Sequence, residues 1–480
     1  MEGTSPPISP VAIGAHQLKQ LLGDWRREGG SAYRALAASV LTLVRASRIP
    51  MASRLPSERD LAAVLSVSRT TVTTAYRLLS ESGYLTGRRG VGSFVSVPSG
   101  GTGESQRHIP GPDEVIDLSV AAMSAPQPWL SRAMAHAVAE LSAYAHGGLP
   151  SGIGALRRAV ADRYSQRGLP TTPEQILITN GATGALTLLL REFTAPGARI
   201  AVESPCHPGL LRSLRMNNVQ LVPVPLGDNG WAPDAWARAF RATHPLLACL
   251  TPDFHPPTGL LMSDEQRHEL VALARSAGVT LIADETLVEL SLDPTVKLPP
   301  PLAAYDAADG HAAVITISSA SKAYWDGLRI GWIRATPEVI RRLTNRRLRL
   351  DISSPIMGQL VLHRLLTGHS VPDSQPMNVL DFQRTRARTQ RDALVAAIRS
   401  DFPRWTFHVP DGGLALWVRT DDLPASVVAE AAAKRGVRLI TGPHFGTDPS
   451  LERLLCFPFT RPPDILQAAV RRVADECAPH

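Results

Sequence analysis

Residues 317–332 read ISSASKAYWDGLRIGW, and the fold of most of the chain turns on that stretch. An apolar β-like run, AVITIS, leads into Ser319, Ser321 and Lys322, with Arg329 seven positions beyond the lysine. Lysines ordinarily sit in water. Here one ends an apolar run among short hydroxyl side chains, where an unpaired ammonium is costly.

Outward from that lysine, residues 116–480 alternate two patterns. Helical stretches such as LRRAVADRYSQRG are interleaved with short β runs, QILITN, RIAVE, LLACLT and VTLIAD. Alternating β and α units predict an α/β fold with a mostly parallel central sheet and helices on both faces. In such sheets the ligand lies beyond the carboxyl ends of the strands, and the unusual residues cluster there. ILITNGATGALTLLL passes straight from strand to helix, with Gly181, Ala182 and Thr183 at the junction. Free N–H groups and the positive helix end make that junction a phosphate cradle. IAVESPCHPG presents His207, and VTLIADETLVEL ends its strand on Asp284. A group bearing a phosphate and a cationic ring nitrogen would satisfy all of these, and pyridoxal phosphate is such a group. Its aldehyde needs a lysine that gives up its proton, which desolvation favours. A carboxylate keeps the pyridine nitrogen protonated, while hydroxyls and an arginine take the phosphate.

The amino-terminal residues carry a different message. Residues 31–97 hold nine arginines against Glu58, Asp60 and Glu81, an excess of six charges that is most of the chain's net +7. SAYRALAASVLTLVRASR places Leu36, Val40, Leu43 and Val44 on one helical face. RLPSERDLAAVL starts a second helix, with Ser57 as N-cap and Glu58 and Asp60 in its first turn. SVSRTTVTTAYRLLSESG starts a third, capped by Ser68, with Val72, Ala75, Leu78 and Leu79 inward and Gly83 as its stop. Its outer face offers Arg69, Thr70, Thr71, Thr73 and Thr74, which suit base edges and phosphates. YLTGRRGVGSFVSV reads as two short strands around a basic tip. The layout is a winged helix-turn-helix, mainly α with a small β wing. Residues 97–115, VPSGGTGESQRHIPGPDEV, read as a flexible connector. The expected organisation is therefore multidomain: 1–97 for DNA, 98–115 as linker, 116–480 for the cofactor.

The string LPSERDLA…VSRTTVTTAYRLLSESGYLTGRRGVGSFV resembles the GntR family of bacterial transcription regulators over about seventy residues. That resemblance implies that Arg59, Ser68, Arg69, Thr70, Thr71, Thr73, Arg89 and Gly90 contact a double-stranded DNA operator. The order YSQRGL…ITNGATGAL…ESPCHPG…TPDFHPPTG…IADE…SSASK…GLRIGW…PDGGLALWV resembles the fold-type-I aminotransferases. Fused behind a GntR-like module, it is similar to the MocR-type regulators. The resemblance implies Lys322 as the Schiff-base lysine, Asp284 as the pyridinium partner and His207 as the ring-stacking residue. Gly181, Ala182, Thr183, Ser319 and Arg329 would be phosphate ligands, in a homodimer with pockets near the subunit interface.

Five positions depart from the aminotransferase pattern. Pro256 stands where an asparagine donates to the cofactor ring, with His255 as the candidate replacement. Thr286 and Leu287 stand where a tyrosine is expected. Gly147 occupies the partner-facing tyrosine register, with Tyr144 and His146 nearby. Leu454 stands where an arginine grips a substrate carboxylate, with Arg453 one residue away. Groups that hold the cofactor are kept and those that hold an amino-acid substrate are thinned. The expectation is a transcription regulator that senses pyridoxal phosphate, an amine or an amino acid. An active aminotransferase with an appended DNA-binding module, and a DNA-binding protein whose large domain only dimerises, are the alternatives.

Composition bounds the setting. With 44% apolar and 19% charged residues among 480, the chain reads as globular. Its longest apolar runs are too short to span a bilayer, and MEGTSPPISP has the character of no secretory signal. Four scattered cysteines form no metal-ligand spacing. A cytoplasmic protein without a metal is expected.

Overall fold

The computed structural model describes residues 13–23, 25, 31–45, 49, 53–81, 84–88, 92–95, 115–144, 146–306, 313–368, 378–420, 423–446 and 448–477. The chain forms two compact units, Met1–His108 and Ile109–His480. Among the described residues, no helix is long and apolar enough to cross a membrane.

In the first unit four helices precede a two-stranded wing: α1 (Ala15–Leu22), α2 (Ala32–Arg45), α3 (Glu58–Leu65), α4 (Arg69–Glu81), β1 (Leu85–Arg88) and β2 (Gly92–Val95). Leu36, Val40, Leu43 and Val44 of α2 meet Leu61 of α3 and Val72, Ala75 and Leu79 of α4 in one core. The helix starts follow local chemistry. Ser57 Oγ accepts the Asp60 amide at 3.1 Å, and Ser68 Oγ accepts that of Thr71 at 3.1 Å, each satisfying an otherwise orphaned donor. The wing strands pair antiparallel, Leu85 opposite Val95 and Arg88 opposite Gly92. Gly83, Arg89, Gly90 and residues 98–114 of the expected linker fall outside the described residues.

The second unit opens with the short strand β3 (Ile116–Asp117) and is built on a seven-stranded sheet: β4 (Ile176–Thr179), β5 (Arg199–Ser204), β6 (Gln220–Pro225), β7 (Leu247–Leu250), β8 (Thr280–Asp284), β9 (Val314–Ser319) and β10 (Gly331–Arg334). Their spatial order is β4-β10-β9-β8-β7-β5-β6. All pairings are parallel except those of β10, which runs antiparallel to β4 and β9. Side chains alternate faces along a strand, and here both faces are dry. Ile176, Ile178, Ala248, Leu250, Leu281 and Ala283 enter one core. Leu177, Leu247, Cys249 and Ile282 enter the other. Near-continuous apolar runs are what such a doubly covered sheet requires.

Two pieces of the carboxyl-terminal part matter for the site. Strands Ala415–Arg419 and Leu454–Pro458 pair antiparallel in a second, four-stranded sheet. Residues Val437–Arg438 pair in parallel with Ile116–Asp117, which anchors the start of the second unit. From that anchor the chain runs toward the carboxyl edge of the large sheet. There Ala121 faces Lys322.

Candidate functional site

One cavity of about 200 Å³ opens at the carboxyl ends of the parallel strands. It is lined by all eight residues singled out for cofactor binding: Gly181, Ala182, Thr183, His207, Asp284, Ser319, Lys322 and Arg329. They arrive from the ends of four strands, β4, β5, β8 and β9, and from the turn before β10.

The anion cradle comes first. The helix Gly181–Phe193 begins directly after β4, and its N-cap Asn180 gives it no side-chain cap. Its first N–H groups are therefore left for a ligand. A Cβ placed on Gly181 would lie 3.6 Å from Arg329 Nη2 and 3.8 Å from Ser319 Oγ, so three donor sources converge on one spot. Ser321, absent from the sequence-derived set, also lines the cavity, and its Oγ sits 3.1 Å from Ser319 Oγ. Gly331 of β10 underpins the cradle. A Cβ there would come within 2.6 Å of the Gly181 carbonyl carbon and the Ser318 oxygen.

At the far side of the pocket stand the groups for a ring and an aldehyde. Asp284 Oδ1 accepts both the amide of Thr286, at 2.9 Å, and its hydroxyl. Burial raises the Asp284 pKa while the Thr286 hydrogen bonds lower it. Thr286, read from sequence as a lost tyrosine, thus orients the carboxylate. Lys322 Nζ donates to the Ala121 carbonyl at 2.6 Å. Burial pushes its pKa down, Asp326 and Asp284 push it up, and Arg329 pushes it down. The loss of hydration is the largest effect, and it favours the neutral amine that attacks a carbonyl. The His207 ring accepts the Gly209 amide at 3.2 Å and caps the helix that follows. Loss of hydration, aided by Lys322 and His255, pushes its pKa down to about 4. The residue is nonetheless exposed toward the cavity, and with its pKa lowered the ring is neutral at pH 7.

Three departures resolve into definite places. His255 is no free donor to a ring oxygen. Its Nε2 lies 3.2 Å from the buried Glu203 carboxylate, off the line of a good hydrogen bond, and its Nδ1 is 3.0 Å from Thr258 Oγ1. Pro256 and Leu287 line the cavity as apolar surface. Leu454 is buried at the head of its strand, and Arg453 precedes that strand with its carbonyl taken by Thr420. Neither lines the cavity. Below the cavity, Arg267 and Asp253 form a fully buried pair at 2.7 Å that holds the segment leading to Pro256.

In the first unit Arg59, Ser68, Arg69, Thr70 and Thr73 are exposed and Thr71 half-buried. Not all are idle: Thr73 Oγ1 donates to Glu58 Oε2 at 2.7 Å, and Arg69 Nε lies 3.7 Å from the same oxygen. Arg54, which sequence reasoning passed over, joins Arg59 and Arg69 around one concavity beside the wing. Its signal was only that of another arginine. Among the described residues no group of histidines, cysteines and carboxylates could hold a metal ion.

Comparison with known proteins agrees with this division. Residues 113–471 match the family "Aminotransferase class I and II", and residues 32–95 match "Bacterial regulatory proteins, gntR family". The HTH-type pyridoxine biosynthesis transcriptional regulator PdxR of Corynebacterium glutamicum is 30% identical, over 92% of this chain and 94% of its own. The HTH-type transcriptional regulator YdcR of Escherichia coli is 28% identical, over 88% and 94%. Among solved structures, the α-aminoadipate aminotransferase LysN of Thermus thermophilus shares the fold. Its TM-score is 0.68 at 24% identity, covering 76% of this chain and 92% of that one.

Proposed function

The chain belongs to the aminotransferase class I and II family and to the gntR-type transcription regulators, and from that premise we propose that it is a regulator whose DNA binding depends on pyridoxal phosphate held at Lys322. The convergence of Lys322, Asp284, Arg329, Ser319 and a bare helix N-terminus on one cavity carries the reading. That donor set fits the group. When bound, the cofactor would supply an aldehyde that captures amines and a ring that withdraws electrons.

Each residue then has a task. Arg329, Ser319 and the amides of Gly181, Ala182 and Thr183 hold the phosphate. Asp284, steadied by Thr286, keeps a proton on the ring nitrogen. His207, neutral and fixed by Gly209, covers the ring face. The dry surroundings of Lys322 pull its pKa down, which favours the neutral amine. Its present hydrogen bond to Ala121 ties it to the segment that leads back, through Ile116–Asp117, to the DNA-binding unit. An Nζ engaged elsewhere gives up that bond, so the state of the pocket alters what holds residues 118–124. A ligand shifts an equilibrium only through such a difference between states. In this reading the protein is a cytoplasmic homodimer that reads paired half-sites, and an amine is its effector.

The test is direct. Addition of pyridoxal phosphate to the purified protein should produce a visible absorbance band that borohydride abolishes, with the cofactor's mass fixed to Lys322. Lys322→Ala should show neither. A substituted protein that keeps the reducible band would refute the assignment.

A further inference from the structure

We infer that the cavity selects a primary amine on an uncharged, apolar body and disfavours amino acids bearing a free α-carboxylate. The inference rests on the reading that Lys322 holds the cofactor.

It begins with a census of charge. Among the described residues lining the cavity, the full positive charges are those of Lys322 and Arg329. His207 is neutral at pH 7. Arg329 is committed twice: Nη2 faces the Gly181 cradle, and Nη1 lies 3.2 Å from Asp326 Oδ1. Lys322 is committed to the aldehyde. Two carboxylates line the same space, Asp284 given to the ring nitrogen and Asp326 beside Arg329, and the bound phosphate brings further negative charge. A ligand carboxylate would therefore enter a negative site with no uncommitted lysine or arginine among the described lining residues to meet it. Such burial of an unpaired charge is strongly unfavourable.

Beyond Ser213, Thr251 and His255, whose Nε2 faces the Glu203 carboxylate, the remaining wall is apolar. Leu210, Phe254, Pro256, Leu287, Leu414 and Ala415 line it. Phe254 sits at φ +50°, a left-handed conformation rare for a bulky residue. Its ring packs so tightly on Gly412 that a Cβ there would come within 2.4 Å. Strained backbone of this kind persists only where its surroundings overdetermine it, and it gathers at ligand sites. The hydrocarbon surface is thus a built feature.

Exchange at Lys322 needs no co-reactant. The incoming nitrogen bonds the aldehyde carbon as the Lys322 Nζ bond breaks, its two protons end on Nζ, and nothing is oxidised or reduced.

The test uses ligand pairs that differ only in the carboxylate. Full-length protein loaded with pyridoxal phosphate is titrated with isopentylamine or leucine, and with phenethylamine or phenylalanine. Borohydride trapping and intact mass then report the fraction of cofactor still on Lys322. Each amine should displace the cofactor from Lys322 at a concentration at least tenfold below that of its amino acid. Leucine methyl ester, with the charge removed, should follow the amine. The less basic amino-acid nitrogen has the advantage in free base, so this order would report the cavity. Equal or better displacement by leucine and phenylalanine overturns the inference and leaves the cofactor reading intact. If no cofactor is ever trapped on Lys322, that reading fails and this inference falls with it.

Discussion

At the scale of single residues, the site is a set of opposed pulls on protons. His207 gives the clearest consequence. Its pKa is near 4 in the folded chain against an ordinary value of 6.5. Between those values the unfolded chain binds a proton that the folded one refuses, so stability falls as the pH drops from 6.5 toward 4. Asparagine can keep the capping bond to Gly209 without titrating. His207→Asn should therefore show a shallower loss of thermal midpoint across that window, measured by scanning calorimetry. An unchanged slope would remove His207 from the account. Lys322 and Asp284 were legible in the sequence because charge at the end of an apolar run is conspicuous. Ala121 was not, because it acts through a backbone carbonyl that any residue possesses. Thr286 was legible only as the absence of a tyrosine, since its two bonds to Asp284 depend on a turn that composition does not reveal.

Between elements, the cradle depends on how closely strand β10 approaches the helix that starts at Gly181. Gly331→Ala drives a methyl group against backbone atoms that cannot step aside. Overpacking of this kind costs about 1–3 kcal/mol. The variant should melt at lower temperature and bind pyridoxal phosphate more weakly, whereas Gly154→Ala, with no atom within 4 Å of the new Cβ, should do neither. Equal effects of the two substitutions would contradict this. The five parallel strands that carry the site were readable as apolar runs between turns. Two others escaped. β6, QLVPVP, contains two prolines, which a central strand could not accept and an edge strand can. β10 is four residues long and antiparallel, and GWIR alternates too briefly to declare itself. Leu454 shows the same limit from the other side. Sequence placed Arg453 one residue from the position where an arginine is expected; the strand begins at Leu454 and the arginine stays outside it.

The whole molecule combines a gntR-type unit with an aminotransferase-like one. The division was legible because each part carries its own dense and ordered motif. The coupling proposed between them was not, since it would run through hydrogen bonds made by main-chain atoms such as the Ala121 carbonyl. The most direct test is the affinity of the full-length protein for a DNA site that it selects from a random pool, with and without saturating pyridoxal phosphate, for the native chain and for Lys322→Ala. The native protein should change its affinity at least fivefold on adding the cofactor, and the variant should not respond. A variant that responds as the native protein does, or a native protein indifferent to the cofactor although Lys322 is shown to carry it, would contradict the account.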